Sequence, residues 1–218
     1  MYSVERLWER INKDSDLMGD PKFSRKKYQN PPHPWQADRI KVENDYMRHY
    51  GLKNKKEFWK AKSNLKRIRG QARHLQARLR YGDKQATKEI DELLSMLHQK
   101  GYLVGENIGI NDVLNLEVEN ILNRRLQTVV FNRGLARSPN QARQFITHGH
   151  IRIKDRRVNI PSYTVNREDE AALEYHDNSP LKDELHPERP GDEAVAMTIE
   201  ERMQKEEERK KFNRRRRR

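Results

Sequence analysis

The chain has 218 residues, of which 36% are charged and only 33% hydrophobic, so its core must be small for its length and parts of it are expected to be ordered by a partner. A net charge of +13 favours an anionic polymer or surface as that partner. The lack of cysteine excludes disulfides and thiolate zinc sites and fits a cytoplasmic protein, and no apolar run approaches the roughly 20 residues that span a bilayer.

The positive charge is concentrated in blocks. The net charge is +13 over residues 19–80, +9 over 124–167 and +5 over 198–218, whereas residues 81–123 and 168–197 carry −5 and −8. A uniformly solvated basic surface does not predict such clustering. We interpret the basic blocks as regions that contact a polyanion.

Residues 1–37 are predicted to be an extension followed by a basic arm. Pro31, Pro32 and Pro34 exclude a long helix and hold the backbone extended. Tyr28 and Trp35 fit an arm that lies along a nucleic acid, with both rings free to stack on bases. A disordered basic tail explains the composition of this segment equally well. The contacts predicted for the arm are Lys22, Arg25, Lys26 and Lys27.

Residues 38–123 are predicted to form a helical domain. Its first helix covers Asp38–Tyr50, and a later one, Lys84–Lys100, is acidic on the outside and is expected to be structural. A short turn begins at Asn111, and a continuous helical run is predicted from Glu117 to Val130. This domain contains no internal repeat.

The second helix of this domain carries the clearest pattern in the chain. Apolar residues recur at steps of three and four from Phe58 to Leu79, which predicts an amphipathic rod of about 26 residues, or about 39 Å. Asn54 and Glu57 are interpreted as its N-terminal capping pair. Almost no acid follows Glu57 to neutralise the basic faces, so RNA contact is favoured over simple solvation. The predicted contacts are Lys55, Lys56, Lys62, Lys66, Arg67, Arg69 and Arg73.

Residues 124–187 are predicted to form a compact helix–helix–strand unit with a thin core. Ser138 is a natural N-cap for its second helix, and Gln141 completes a capping box with it. Gly149 ends that helix. A half-buried strand, His150–Ile153, follows, in which inward and outward residues alternate.

The same unit carries many cations, chiefly arginine, whose guanidinium group binds phosphate through paired hydrogen bonds and also stacks on bases. Arg125 has an alternative role as an ion-pair partner of Glu117 or Glu119, and Tyr163 is assigned to the core. The pair His148-x-His150 lacks the further ligands of a zinc site and the second group of a nuclease, so neither is expected. The predicted RNA contacts are Arg125, Arg133, Arg137, Arg143, His148, His150, Arg152, Lys154, Arg156 and Arg157.

Three charged or terminal segments complete the chain. The acidic residues 168–193 repel phosphate and are predicted to face solvent or a basic neighbouring protein. Residues 188–218 are interpreted as a charged tail, whose arginine run 214–218 is predicted to fold on contact with RNA rather than stay solvated. Residues 1–17 have little basic character and precede Met18, so we interpret them as a dispensable extension or a misassigned start.

The order of short motifs between residues 125 and 163 closely resembles the S-four RNA-binding motif of small-subunit ribosomal protein S-four, some pseudouridine synthases and a heat-shock ribosome-binding protein. The motifs are Arg125-Leu126-Gln127-Thr128, Gly134-Leu135-Ala136, Gln141-Ala142-Arg143-Gln144, His148-Gly149-His150-Ile151 and Val158-Asn159-Ile160-Pro161-Ser162-Tyr163. The resemblance to the ribosomal protein covers roughly residues 19–190. Its archaeal type is favoured because Gly19-Asp20-Pro21-Lys22 is similar to that type and because the zinc cysteines of many bacterial members are absent.

This resemblance implies an α+β protein, in which a mainly helical N-terminal domain is followed by a small S-four-type (alpha-L) RNA-binding module with a short sheet, and which has basic extended tails. It implies a structural role in the cytoplasmic ribosome, with no enzymatic activity, cofactor, metal or membrane association. The implied partners are the 5′ domain of 16S rRNA, ribosomal protein S-five, other small-subunit proteins and mRNA near its entrance. The implied roles are nucleating assembly of the subunit body and supporting translational accuracy.

Two alternatives accompany this interpretation. A standalone S-four-domain stress or regulatory RNA-binding protein is disfavoured by the long helical domain. An RNA-modifying enzyme anchored by an S-four domain is disfavoured because no second catalytic domain is expected after residue 190.

Overall fold

The computed structural model of the chain describes residues 26–105, 108–183 and 186–190. Lys22, Arg25, the N-terminal extension and the arginine run 214–218 lie outside the described residues. The elements are α1 (Ala37–Tyr50), α2 (Lys55–Arg80), α3 (Lys84–Gln99), α4 (Ile110–Asn115), α5 (Val118–Asn123), α6 (Leu126–Asn132), α7 (Pro139–His148), β1 (Ile151–Ile153), β2 (Arg156–Arg157), α8 (Arg167–Ala171), β3 (Leu173–Tyr175) and a short 3₁₀ helix (Pro180–Lys182). Helices together with a small antiparallel sheet confirm the predicted α+β class.

Helix α2 is the centre of a first hydrophobic cluster. Its length of 26 residues confirms the prediction from periodicity, and Phe58, Leu65 and Leu75 are buried where α1, α3, α4 and α5 pack against it. Leu79, predicted to belong to the same stripe, is exposed because it lies in the last turn of α2, beside the turn that leads into α3. The cluster fixes one face of α2 and leaves its basic faces at the surface.

A second hydrophobic cluster joins α6, α7 and the sheet. Leu126, Ile146 and Ile151 lie at its centre and are fully buried. The two clusters share no residue, and the chain passes from one to the other where α5 meets α6. We propose that they are the cores of the predicted domains 38–123 and 124–187; the second domain is called the S-four module below.

The helical run predicted from Glu117 onward is divided into α5 and α6. At the break, Arg125 forms an antiparallel bridge with Thr164, and the amide of Leu126 donates to the carbonyl of Tyr163 at 2.7 Å. These backbone bonds to a distant segment override the local helical periodicity. The predicted core position of Tyr163 is also wrong, because this residue contacts the helix through its backbone while its side chain is 39% exposed.

Three short strands form an antiparallel sheet in the order β2–β1–β3. In β1, buried Ile151 and Ile153 alternate with the part-exposed Arg152, as predicted. Strand β3 was not expected, because it lies within the acidic segment 168–193. The described part of that segment folds back onto β1 and pairs Tyr175 with Ile151, whereas the side chains of Glu174 and Asp177 are more than half exposed. The prediction that the segment faces solvent is therefore confirmed only in part.

The predicted helix caps are confirmed only in part. The Oγ of Ser138 accepts a hydrogen bond from the amide of Gln141 at 3.2 Å, which begins α7 as expected. A capping box also requires the side chain of Gln141 to accept from the amide of Ser138. This part of the prediction is wrong, because Oε1 of Gln141 accepts from the amide of Arg137 at 2.7 Å instead. Asn54 occupies the N-cap of α2, but its side chain makes no capping bond, and Glu57 reaches across to the S-four module.

Gly51 ends α1 at the point where the first domain contacts the S-four module. Its φ is +58°, and a Cβ there would lie 2.8 Å from Nε2 of Gln127 and from Cβ of Pro139. Gly70 is a natural comparison, because it lies within α2 and a Cβ there would meet open space.

We expect G51A to lower the free energy of unfolding by roughly 1–3 kcal/mol, because the left-handed backbone is unfavourable for alanine and the module must shift away. The control G70A should raise stability by about 0.5–1 kcal/mol, because alanine favours the helix. Urea unfolding followed by circular dichroism measures both. Equal midpoints for G51A and the wild type would contradict a close contact at Gly51.

Candidate nucleic-acid interface

The described part of the arm lies along α2. The amide of Gln29 donates to Oγ of Ser63 at 3.1 Å, and Nζ of Lys66 donates to Oε1 of Gln29 at 2.9 Å. The rings of Tyr28 and Trp59 pack with their centroids 6.0 Å apart. The part-exposed Tyr28 is therefore packed against α2, so its ring is not free as predicted.

An open groove of about 980 Å³, the arm groove, lies between the arm, α2 and the start of α6. The cations that line it are Lys26, Lys27, Lys60, Lys66, Arg67 and Arg125. Lys60 is not among the predicted contacts, although its place on a basic face of α2 was a signal for it. Among the described residues that line the groove, Glu57 is the one acid.

A second groove of about 530 Å³, the proline groove, lies between the proline-rich part of the arm and α2. Lys62, Lys66, Arg69 and Arg73 line it at intervals of four, three and four residues, which places them on one side of the helix. All four are predicted contacts. Arg69 also donates a hydrogen bond to the carbonyl of Leu116, so its guanidinium group is partly used by the fold.

Glu57 joins α2 to the S-four module. The Nη2 of Arg125 donates to its Oε2 at 2.7 Å, and Nη2 of Arg143 donates to its Oε1 at 2.8 Å. The alternative role predicted for Arg125, an ion pair, is therefore observed, but its partner is Glu57 and not Glu117 or Glu119. Arg125 and Arg143 are both predicted RNA contacts, yet Arg125 is only 8% exposed.

The ionisation of this cluster follows from burial and from its two arginines. Burial acts to raise the pKa of the Glu57 carboxyl, but the hydrogen bonds and charges of Arg143 and Arg125 outweigh it, so the pKa lies below its ordinary value of 4.5. Burial also lowers the pKa of Arg125, and the Glu57 carboxylate opposes that shift. At neutral pH, one negative charge therefore faces two positive charges, and Glu57 presents no net negative charge to the groove.

Several cations of the S-four module are neutralised by the acidic segment that follows them. Arg152 pairs with Glu174 at 2.9 Å and also with Asp177, and Nζ of Lys154 lies 2.6 Å from Asp169. Other predicted contacts are exposed and make no ion pair with a described residue: Lys26, Lys27, Lys56, Lys62, Lys66, Arg67, Arg73, Arg133, Arg137, Arg156 and Arg157. The open positive charge is therefore concentrated on the arm, on α2 and on part of the module.

Two of these exposed arginines bind carbonyl groups of their own chain. The Nη2 of Arg137 lies 2.8 Å from the carbonyl oxygen of Pro187 and 3.0 Å from that of Arg189. The Nη2 of Arg157 donates to the carbonyl of His148 at 2.8 Å. Both side chains are held in place by these bonds, and no described carboxylate pairs with them.

The two histidines at the end of α7 lie close to each other, and one of them is bonded within the protein. The ring centroids of His148 and His150 are 6.2 Å apart, and Nδ1 of His150 lies 2.9 Å from Oγ of Ser179. Burial, followed by the charges of His148 and Arg157, lowers the pKa of His150 below 6.5, so it is mainly a neutral hydrogen-bonding group at pH 7. Within the described residues, no three His, Cys, Asp or Glu side chains are grouped to hold a metal, and none of the helices has the length and hydrophobicity of a membrane span.

We expect E57Q to lower the free energy of unfolding at pH 7 by about 2–3 kcal/mol, because charged hydrogen bonds to two part-buried arginines are lost. The folded-state pKa of Glu57 is depressed, so its stabilisation is fully present above pH 4.5 and is lost as the pH falls through the folded-state pKa. The stability difference between E57Q and the wild type should therefore shrink below pH 4.5.

Urea unfolding at several pH values measures this difference. The matched control is E92Q, because Glu92 is exposed on α3 and makes no ion pair with a described residue. E92Q should differ little from the wild type at any pH. A loss in E57Q no larger than that in E92Q would show that the cluster does not hold the domains together.

Comparison with known proteins agrees with this geometry. Residues 124–170 match the S4 domain family. The chain is 52% identical to small ribosomal subunit protein uS4 of Thermoplasma acidophilum over 170 residues, which is 78% of this chain and 85% of the relative. It is 51% identical to the uS4 protein of Picrophilus torridus (78% and 92% covered) and 47% identical to that of Methanococcus aeolicus (79% and 96% covered). The chain therefore belongs to the archaeal type of the uS4 family of small ribosomal subunit proteins.

Proposed function

We propose that this structural protein of the small ribosomal subunit binds 16S rRNA mainly through the arm, α2 and the unpaired cations of the S-four module. The observation that carries the proposal is the arm groove, in which cations from the arm and from α2 line one open surface whose one described acid is neutralised by two arginines. An open surface of this charge fits a phosphate backbone. Family membership also favours this role over an RNA-modifying enzyme or a standalone regulator.

The mode of binding follows from where the cations lie. Helix α2 presents its cations along a rod of 26 residues, which can follow a phosphate backbone but cannot enter the deep, narrow groove of A-form RNA. Recognition therefore depends on the shape of the folded RNA and on phosphate spacing. Arg125 and Arg143 are bound to Glu57, so we assign them to positioning the module rather than to the first contact with phosphate.

The finer roles implied by the family resemblance also belong to this proposal. A protein with two basic units held at a fixed angle can bring two RNA segments together, which is the physical requirement for nucleating assembly of the subunit body. Binding to the 5′ domain of 16S rRNA, contact with ribosomal protein S-five and with mRNA near its entrance, and a contribution to translational accuracy are all consistent with this arrangement. The acidic segment and the open cations of the module offer surfaces of opposite charge for such neighbours.

We expect the affinity for a transcript of the 16S rRNA 5′ domain to fall steeply with salt, because binding releases counterions from phosphate. K62Q and R73Q remove two exposed cations without a described ion-pair partner, so each should lower the slope of log affinity against log salt by about one. Filter binding at several salt concentrations measures the slopes. The control is K88Q on the structural helix α3, and it should keep the wild-type slope.

Charge reversal at two arginines distinguishes a side chain that contacts RNA directly from one that positions the S-four module. We expect R137E to weaken RNA binding with unchanged stability, because Arg137 is exposed and bonded only to carbonyl groups among the described residues. R143E should instead lower stability, because it replaces one of the two cations that bind Glu57 with a second negative charge. Filter binding and thermal unfolding measure the two effects. Wild-type stability in R143E, together with weakened binding, would return Arg143 to the set of direct contacts.

A further inference from the structure

Trp35 is the most exposed large hydrophobic residue among those described, with 91% of its surface open to solvent. Tyr28, the other aromatic residue of the described arm, packs against Trp59 and lies beneath Nζ of Lys26. Within the described part of the arm, Trp35 is therefore the one aromatic ring that a partner can reach from both faces. An isolated exposed aromatic residue needs no explanation by itself, but the backbone that carries this one is held by hydrogen bonds on both sides.

The backbone is fixed on both sides of Trp35. The Nη2 of Arg39 donates to the carbonyl of Pro34 at 2.7 Å and to that of His33 at 3.1 Å. On the other side, the carbonyl of Gln36 accepts from the amide of Ile40 at 3.1 Å and so begins α1. The ring of Pro34 also fixes the φ of Pro34, the residue before Trp35. The main chain is thus held immediately before and immediately after an uncovered indole ring.

Arg39 is itself held by a buried carboxylate. Its Nη1 donates to Oε1 of Glu43 at 2.6 Å, and the same oxygen accepts from Nε1 of Trp59 at 3.0 Å. Glu43 is 2% exposed, and Nζ of Lys55 lies 3.8 Å from its other oxygen. Burying a carboxylate is costly unless partners compensate it, and here the compensating partner also orders the turn that carries Trp35.

The charge of the surroundings identifies the partner. Gln36, the next residue after Trp35, lines the proline groove, where the cations of α2 at positions 62, 66, 69 and 73 follow one another. Glu43 also lines this groove, but Arg39 and Lys55 neutralise it. An exposed aromatic ring on the residue next to one that lines a cationic groove fits a nucleotide, which offers a π face for stacking and a phosphate for the cations. A hydrophobic pocket of a neighbouring protein would gain nothing from such charges.

We propose that Trp35 is a stacking platform for an unpaired base of the ribosomal RNA, and that Arg39 is the positioning residue that holds it. This inference rests on the proposed function and names one recognition element within it. The base stacks on the indole ring, while its flanking phosphates lie toward the cations of the proline groove. Because the turn is fixed before binding, little conformational entropy is lost when the base docks.

The test uses the full-length protein and a transcript of the 16S rRNA 5′ domain. W35A should weaken binding by roughly 5- to 100-fold, the range for loss of one stacked base. Its salt slope should stay at the wild-type value, because stacking releases no counterion. W35F should keep most of the affinity. Y81A is the matched control, because Tyr81 is 90% exposed at the far end of α2, and it should bind like the wild type.

R39K tests the positioning role. Lysine keeps the positive charge but cannot bridge Glu43 and the two carbonyl groups at once. If Arg39 positions the turn, R39K should lose affinity as W35A does, and the double variant R39K/W35A should lose little more. If Arg39 is only a charge near phosphate, R39K should bind like the wild type, which would overturn the positioning role.

Tryptophan fluorescence gives an independent readout. RNA should quench part of the wild-type emission by stacking, and that part should be missing in W35F. W35A with wild-type affinity and an unchanged steep salt slope would overturn the stacking platform and leave the proposed function intact. W35A that binds RNA normally but is not retained in assembled subunits would point to a protein contact and would also overturn it. No binding of the wild-type protein to the transcript would overturn both proposals.

Discussion

Glu57 holds Arg125 and Arg143 of the S-four module against the first turn of α2, and this contact helps to set the relative position of the two basic units. Beside it, Nε2 of Gln127 donates to the carbonyl groups of Gly51 at 2.8 Å and of Pro139 at 2.9 Å. The contacts described at this junction are therefore directional hydrogen bonds, and the two apolar cores lie on either side of it. Such bonds add less stability than apolar packing of the same size, but they are satisfied in only one orientation.

The charge balance of the molecule explains why this orientation matters for RNA. The acidic residues around β3 pair with Arg152 and Lys154, so they remove positive charge from one edge of the S-four module. The arm groove and the proline groove have no such cover, since their lining acids, Glu57 and Glu43, are each held by two cations. Positive potential is thus directed toward the side where the arm lies on α2. The hydrogen bonds across the junction hold the two units in this arrangement.

The sequence predicted the helices well and the junction poorly, for a physical reason. The bounds of α2 follow from a repeat of apolar residues that needs only local information, and Ser138 caps α7 through a residue three positions away. Strand β3 and the break between α5 and α6 depend on backbone partners far along the chain, such as Thr164 for Arg125. No local pattern contains such a pairing.

The dependence on partners far along the chain also limited the prediction of the candidate site. Cations were correctly placed on the exposed faces of α2, because an amphipathic helix buries one stripe and exposes the rest. The partner of Arg125 and Arg143 was missed, because the spacing of Asn54 and Glu57 is also that of a capping pair. One signal was available: Glu57 is a rare acid in a strongly basic block, and a rare acid at the surface of an RNA-binding helix would repel phosphate unless arginines covered it.

Burial then separates the arginines that belong to the fold from those that are open to RNA. A phosphate can compete for Arg152, because its acidic partners Glu174 and Asp177 are exposed and such pairs are weak in water. A phosphate cannot readily compete for Arg125, because that guanidinium lies inside the junction. To bind phosphate, Arg125 would have to leave the carboxylate of Glu57, which it shares with Arg143. In a chain with so small a hydrophobic core, ion pairs serve both purposes. The depth at which each pair lies decides whether it holds the protein together or yields to the RNA.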